Sequence, residues 1–111
     1  MQTLVSFYVG LNDKDTKTQI VSIQDAKTII TKCMVKYFEF GGTLFDCSGV
    51  YAHNDGTNII VVESSFKVEI LTDCKDVQFN KRCNRFVNVL KRVLNQETIL
   101  QTSVGLYAKF I

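Results

Sequence analysis

The chain has 111 residues with no proline, no tryptophan, one histidine and six glycines. Without proline there is no polyproline recognition segment and no stiff proline-rich linker. No Gly/Ser-rich tract, low-complexity run or internal repeat divides it, so residues 1–111 read as a single domain. No apolar run approaches the roughly 18 residues needed to span a bilayer. The first residues, MQTLVSFYVG, lack a basic leader and alternate like a strand, so they read as mature structure. The cysteines Cys33, Cys47, Cys74 and Cys83 show no C-x-x-C spacing, and His53 lies apart from most of them, which argues against zinc. Reduced thiols and a cytoplasmic location are expected, with no metal and no cofactor. A net charge of +2 is by itself too small to indicate a nucleic-acid partner.

What is present suits a folded domain: 46% of residues are hydrophobic and 22% charged. Residues 3–11, TLVSFYVGL, alternate, with Val5, Phe7, Val9 and Leu11 on one face and Leu4, Ser6, Tyr8 and Gly10 on the other. A polar stretch, 12–21, leads to Ser22, an N-cap candidate with Asp25 three residues on. A helix over 23–39 follows, its stripe made by Ala26, Ile29, Ile30, Cys33, Met34 and Tyr37, with Gly41-Gly42 behind it. Residues 43–52 and 58–71 read as strands joined by the turn HNDG at 53–56. A second helix spans 77–95, with Phe79, Cys83, Phe86, Leu90, Val93 and Leu94 on its apolar side. Residues 98–111 alternate again; Leu100, Val104, Leu106, Ala108 and Phe110 are expected to face the core, and Gln101, Ser103, Tyr107 and Lys109 to face away.

The order βαββαβ predicts an α+β, ferredoxin-like domain, a four-stranded antiparallel sheet of order 4-1-3-2 with two helices on one face. The other face stays open and should carry Ser6, Tyr8, Glu63, Ser65, Lys67 and Glu69, with Tyr51 and His53 near the hairpin end. Such a face suits solvent, a ligand or a second copy, and a homodimer or higher homo-oligomer is expected.

RNA binding of the RRM type is not expected. The third strand, NIIVVESSFKVEI, lacks the glycines and stacking aromatics of that motif, and Glu63 and Glu69 would repel phosphates. The cluster Lys81, Arg82, Arg85, Lys91 and Arg92 lies on the second helix. Lys81, Arg85 and Arg92 fall within about 40° of each other, opposite the apolar stripe; they form a solvated face or a docking patch for an acidic partner or a nucleic-acid backbone. His53 is the one candidate for acid–base work near neutral pH. It is an exposed turn residue or, with Tyr51 and Glu63, part of a site. Asn12 and Asp13 are either plain turn residues or the lip of a ligand site.

The stretches FYVGLND, GVYAHNDG and VVESSFKVEI resemble those of small uncharacterised ferredoxin-like proteins of phages and mobile elements of low-GC Gram-positive bacteria. The resemblance covers roughly residues 5–70 and places Gly10, Leu11, Asn12, Gly49, Tyr51, Gly56, Glu63 and Ser65 at matching positions. It implies a phage accessory role but transfers no activity. The resulting expectation is a small non-enzymatic binding protein. It would act stoichiometrically in the host cytoplasm against a defence system, by inhibiting a CRISPR-type effector or sequestering a nucleotide signal. Tyr8, Asn12, Asp13, Tyr51, His53, Glu63, Ser65 and Lys67 are the expected ligand contacts. Two alternatives stand beside it: hydrolysis of a nucleotide at His53 and Glu63, and an assembly module that pairs through its open sheet.

Overall fold

Strict alternation in β1 (Gln2–Gly10) sends Val5, Phe7 and Val9 to one side of the sheet, where each is fully buried. The computed structural model describes residues 1–53, 56–73 and 76–111. After β1 come α1 (Ile23–Tyr37), β2 (Thr43–Ala52), β3 (Ile60–Thr72), α2 (Val77–Val93) and β4 (Leu100–Leu106). The sheet runs β2-β3-β1-β4, all pairs antiparallel, which is the expected ferredoxin-like topology and strand order. No helix among the described residues is long and apolar enough to cross a membrane.

One core joins the layers. Val5, Phe7 and Val9 of β1 and Phe66, Val68 and Ile70 of β3 meet Ala26, Ile30 and Met34 of α1 and Phe79, Cys83, Phe86 and Leu90 of α2. Phe86 stands at the centre, its ring 5.0 Å from Phe7 and 5.2 Å from Phe38 in edge-on contacts. Helix starts follow their caps: Ser22 Oγ accepts the Asp25 N–H at 3.1 Å, and Asp76 Oδ1 accepts that of Phe79 at 2.8 Å. The first helix ends at Tyr37, the last residue of its apolar stripe, two residues short of the expected 39. Phe38 turns inward instead, and Gly41 reverses the chain at φ 72°.

The last strand departs from expectation. Register sets Tyr8 opposite Leu100 and Leu4 opposite Val104, so Leu100, Val104 and Leu106 face the open side. Gln101 and Ser103 point to the helix side, the reverse of the sequence reading. The helices cover the two central strands, and no β4 residue belongs to the buried core, so alternation there reports no inner face. Residues 107–111 lie beyond the strand. The β2–β3 hairpin closes with His53 N–H donating to the Ile59 carbonyl at 3.0 Å. Gly56 and Asn58 take positive φ there, while Asn54 and Asp55 of the expected turn lie outside the described residues, as does Cys74.

Candidate functional site

A cleft of about 650 Å³ opens where the end of β1 and the loop after it meet the open face of the β2–β3 hairpin. Tyr8, Asn12, Asp13, Tyr51, His53, Glu63 and Ser65 all line it, so sequence residues up to 57 positions apart are gathered in one place. Lys67 does not line it. That side chain lies further along β3, paired with Glu69 at 3.0 Å and seated between the rings of Tyr8 and Phe45 at 5.6 and 5.7 Å. The Glu69 carboxylate raises the Lys67 pKa, so the group serves as a fixed cation of the open face.

Glu63 is tied to the lip of the cleft. Its Oε2 accepts the backbone N–H of Asn12 at 2.9 Å. Gly49 sits directly opposite Glu63 on β2, and Gly10 borders it on β1. A Cβ on Gly10 would come 2.6 Å from Glu63 Oε1, so the missing side chain is the space the carboxylate occupies. Asn12 Nδ2 approaches Tyr51 Oη at 3.5 Å, and the Tyr51 and His53 rings meet edge-on at 6.5 Å. His53 and Glu63 share the cleft, yet no hydrogen bond connects them among the described residues. The hairpin register sets Tyr51 opposite Val61 and Gly49 opposite Glu63, which keeps the imidazole one step along the arm.

The lip beside Glu63 is a built loop. Asp13 Oδ1 accepts the N–H groups of Asp15 and Thr16 at 2.9 and 3.0 Å. Its Oδ2 accepts Asn95 Nδ2 at 2.8 Å, and the same amide donates to Asp15 at 2.9 Å. Asn95 follows α2 at φ 49°, and its carbonyl accepts the Lys14 N–H at 2.9 Å. Gln96, only 8% exposed, donates to the Asn12 carbonyl at 2.8 Å. The backbone of one residue therefore links the end of α2 to Glu63: Gln96 holds the carbonyl of Asn12, and the N–H of Asn12 holds the carboxylate. Asp13 and Asn12 are thus both turn residues and cleft residues.

Asn95 and Gln96 were not singled out by sequence reasoning. The signal available was two amides directly after Leu94, the last apolar contact of α2. Lys14, Lys17 and Glu97 add charge at the rim and were also missed.

The Asn95 amide and the Thr16 and Asp15 N–H groups hold the Asp13 carboxyl below its ordinary value of 3.8. A lowered carboxyl pKa stabilises the folded state above the unfolded value; that contribution fades as pH falls below 3.8 toward the folded value. Thermal melts between pH 7 and pH 3 should show Asp13→Asn losing less stability on acidification than the parent chain. Parallel curves would remove Asp13 from the acid response.

No protein-family model matches the chain, and no curated protein matches it in sequence. Among solved structures it is similar to a phage SAM lyase in complex with S-methyl-5'-thioadenosine. The TM-score is 0.66 at 18% identity, over 93% of this chain and 80% of that one. The apo state of a phage SAM lyase gives 0.62 at 20% identity, over 92% and 78%. At such identity the likeness establishes the shared fold.

Proposed function

We propose that the protein captures S-adenosylmethionine, or a sulfonium nucleoside of that class, in the Glu63 cleft and cleaves it to S-methyl-5'-thioadenosine. It would act as a phage counter-defence protein in the host cytoplasm, removing a methyl donor that defence enzymes consume. The carrying observation is the Glu63 carboxylate, pinned by the Asn12 N–H in the space left by Gly10 and flanked by Tyr51. A sulfonium carries a permanent positive charge, which a fixed carboxylate and an aromatic face both attract. The fold shared with a phage SAM lyase supports the same class of ligand.

Cleavage asks little of the protein. The bond between sulfur and the amino-acid carbon breaks, and its electron pair returns to sulfur, leaving a neutral thioether. The carbon fragment is captured by the substrate's own carboxylate, or it loses a neighbouring proton, for which Glu63 is the acceptor at hand. Neither route needs a protein nucleophile. The neutral product loses its attraction to Glu63, which favours release.

Capture without turnover is a second reading, in which the Glu63 carboxylate, held by the Asn12 N–H, serves only as a counter-charge to the sulfonium. It retains the stoichiometric sequestration expected from the sequence.

Calorimetric titration with S-adenosylmethionine, followed by chromatography of the mixture, tests both. More than one equivalent of S-methyl-5'-thioadenosine per chain is the expected result. Saturable binding with no product would support capture alone. No heat and no product would overturn the assignment of this ligand class.

A further inference from the structure

Charge is unevenly shared between the two layers of the fold. Helices α1 and α2 carry eight of the 13 basic residues and one of the 11 acidic ones, a net of +7. The rest of the chain, with five basic and ten acidic residues, carries −5, which is how the total comes to +2. The small net charge therefore hides a strongly basic surface. Glu63 and Glu69 lie on the far side of the sheet. A helix is about 10 Å thick, comparable to the ~8 Å Debye length at physiological salt, so those carboxylates cancel little of the field above the helices. Glu39, Asp73 and Asp76 share a groove with Lys36 and Arg82 and offset charge at that end, away from the Arg85–Arg92 stretch.

The cations are accessible. Lys27, Lys32 and Lys36 of α1 and Lys81, Arg82, Arg85 and Arg92 of α2 are exposed. Arg82 lies 5.8 Å from the Phe79 ring, and none of these seven pairs with a carboxylate among the described residues. Lys81, Arg85, Asn88 and Arg92 follow one outward ridge about 16 Å long, the axial length of roughly five nucleotides on a strand. The exposed apolar residues of the two helices are Ile23, Val35, Val77 and Val93. Phe40, 97% exposed, shares a groove with Lys36 and Arg82 just past α1, but no exposed ring lies along the Lys81–Arg85–Arg92 ridge among the described residues, which disfavours a single strand stacked along it.

We propose that the α1–α2 layer binds duplex nucleic acid through its phosphate backbone, without reading sequence. The surface lies across the sheet from the Glu63 cleft and does not depend on what the cleft binds.

Fluorescence anisotropy with a labelled 20-base-pair DNA duplex tests this. If about four phosphates are contacted, the dissociation constant should rise roughly 100-fold between 50 and 200 mM salt. Arg85→Ala should lower the salt slope by about one, and K81E/R85E/R92E should abolish binding. Circular dichroism checks that the triple variant folds; if it does not, K81Q/R85Q/R92Q replaces it, with binding expected to fall at least tenfold. A dissociation constant above about 1 mM at 50 mM salt would overturn the proposal. So would a folded charge variant that binds like the parent, or a single strand of equal length that binds as tightly. Binding to polyglutamate or to phosphatidylserine vesicles without duplex binding would assign the ridge to another partner and equally overturn it.

Discussion

Glu63→Gln is expected to keep its fold and lose about 100-fold or more in affinity for S-adenosylmethionine, while its affinity for S-methyl-5'-thioadenosine changes little. The substitution preserves the size of the side chain and leaves an oxygen to accept the Asn12 N–H, now at 2.9 Å from Oε2. What it removes is the charge. Losing one partner of a desolvated charge pair costs roughly 2–5 kcal/mol, enough for that fall. The two ligands differ in charge at sulfur, so their comparison separates attraction from shape. Gly10→Ala approaches the same site from the other side: its new Cβ would displace the carboxylate, whose flexible end can move without disturbing the sheet. Equal losses for both ligands in Glu63→Gln would mean that Glu63 shapes the cleft and does not serve as a counter-charge.

Phe86→Ala should be the most destabilising single truncation. The residue is fully buried and touches three other rings: Phe7 at 5.0 Å, Phe38 at 5.2 Å and Tyr37 at 6.5 Å. It ties both helices to the central strand. Truncating a buried phenylalanine costs roughly 3–5 kcal/mol, because the neighbours do not close the space. Against a total stability of about 5–15 kcal/mol, that leaves many molecules unfolded. The melting temperature should drop by about 12–20 °C, with Phe86→Leu falling less. Urea and thermal unfolding would measure it. A loss below about 1 kcal/mol would show that the rings repack around the gap.

The two central strands and both helices were legible in the sequence because each buries one face. Val5-Phe7-Val9 and Phe66-Val68-Ile70 alternate, Ile30-Met34 and Phe79-Cys83-Phe86-Leu90 repeat at helical spacing, and the core is those residues. β4 was misread because alternation reveals a core only where something covers the strand. Seven residues of the cleft's lining were also legible, since a polar or aromatic residue at the end of a buried strand has few structural reasons to be there. Lys67 satisfied the same rule and still fell outside, its partner Glu69 drawing it along the strand. Asn95 and Gln96 were hidden for a different reason. Their bonds to Asp13 and Asn12 join positions more than 80 residues apart, and no local pattern encodes such a contact.

The pairing of the first strand with the last affects how the molecule is made. Gln2 lies opposite Leu106, and Tyr8 opposite Leu100. During synthesis β1 emerges first, and its two neighbours arrive at different times. β3 can pair with it once some 70 residues have emerged, while its other edge stays open until almost the whole chain is out. In that interval β1 presents an unpaired apolar strand, the kind of edge that recruits other nascent chains. Contacts of such sequence separation also slow folding. Synthesis at high level, as when many copies of one message are translated at once, should make the yield of folded protein sensitive to translation rate and to chaperones that shield that edge.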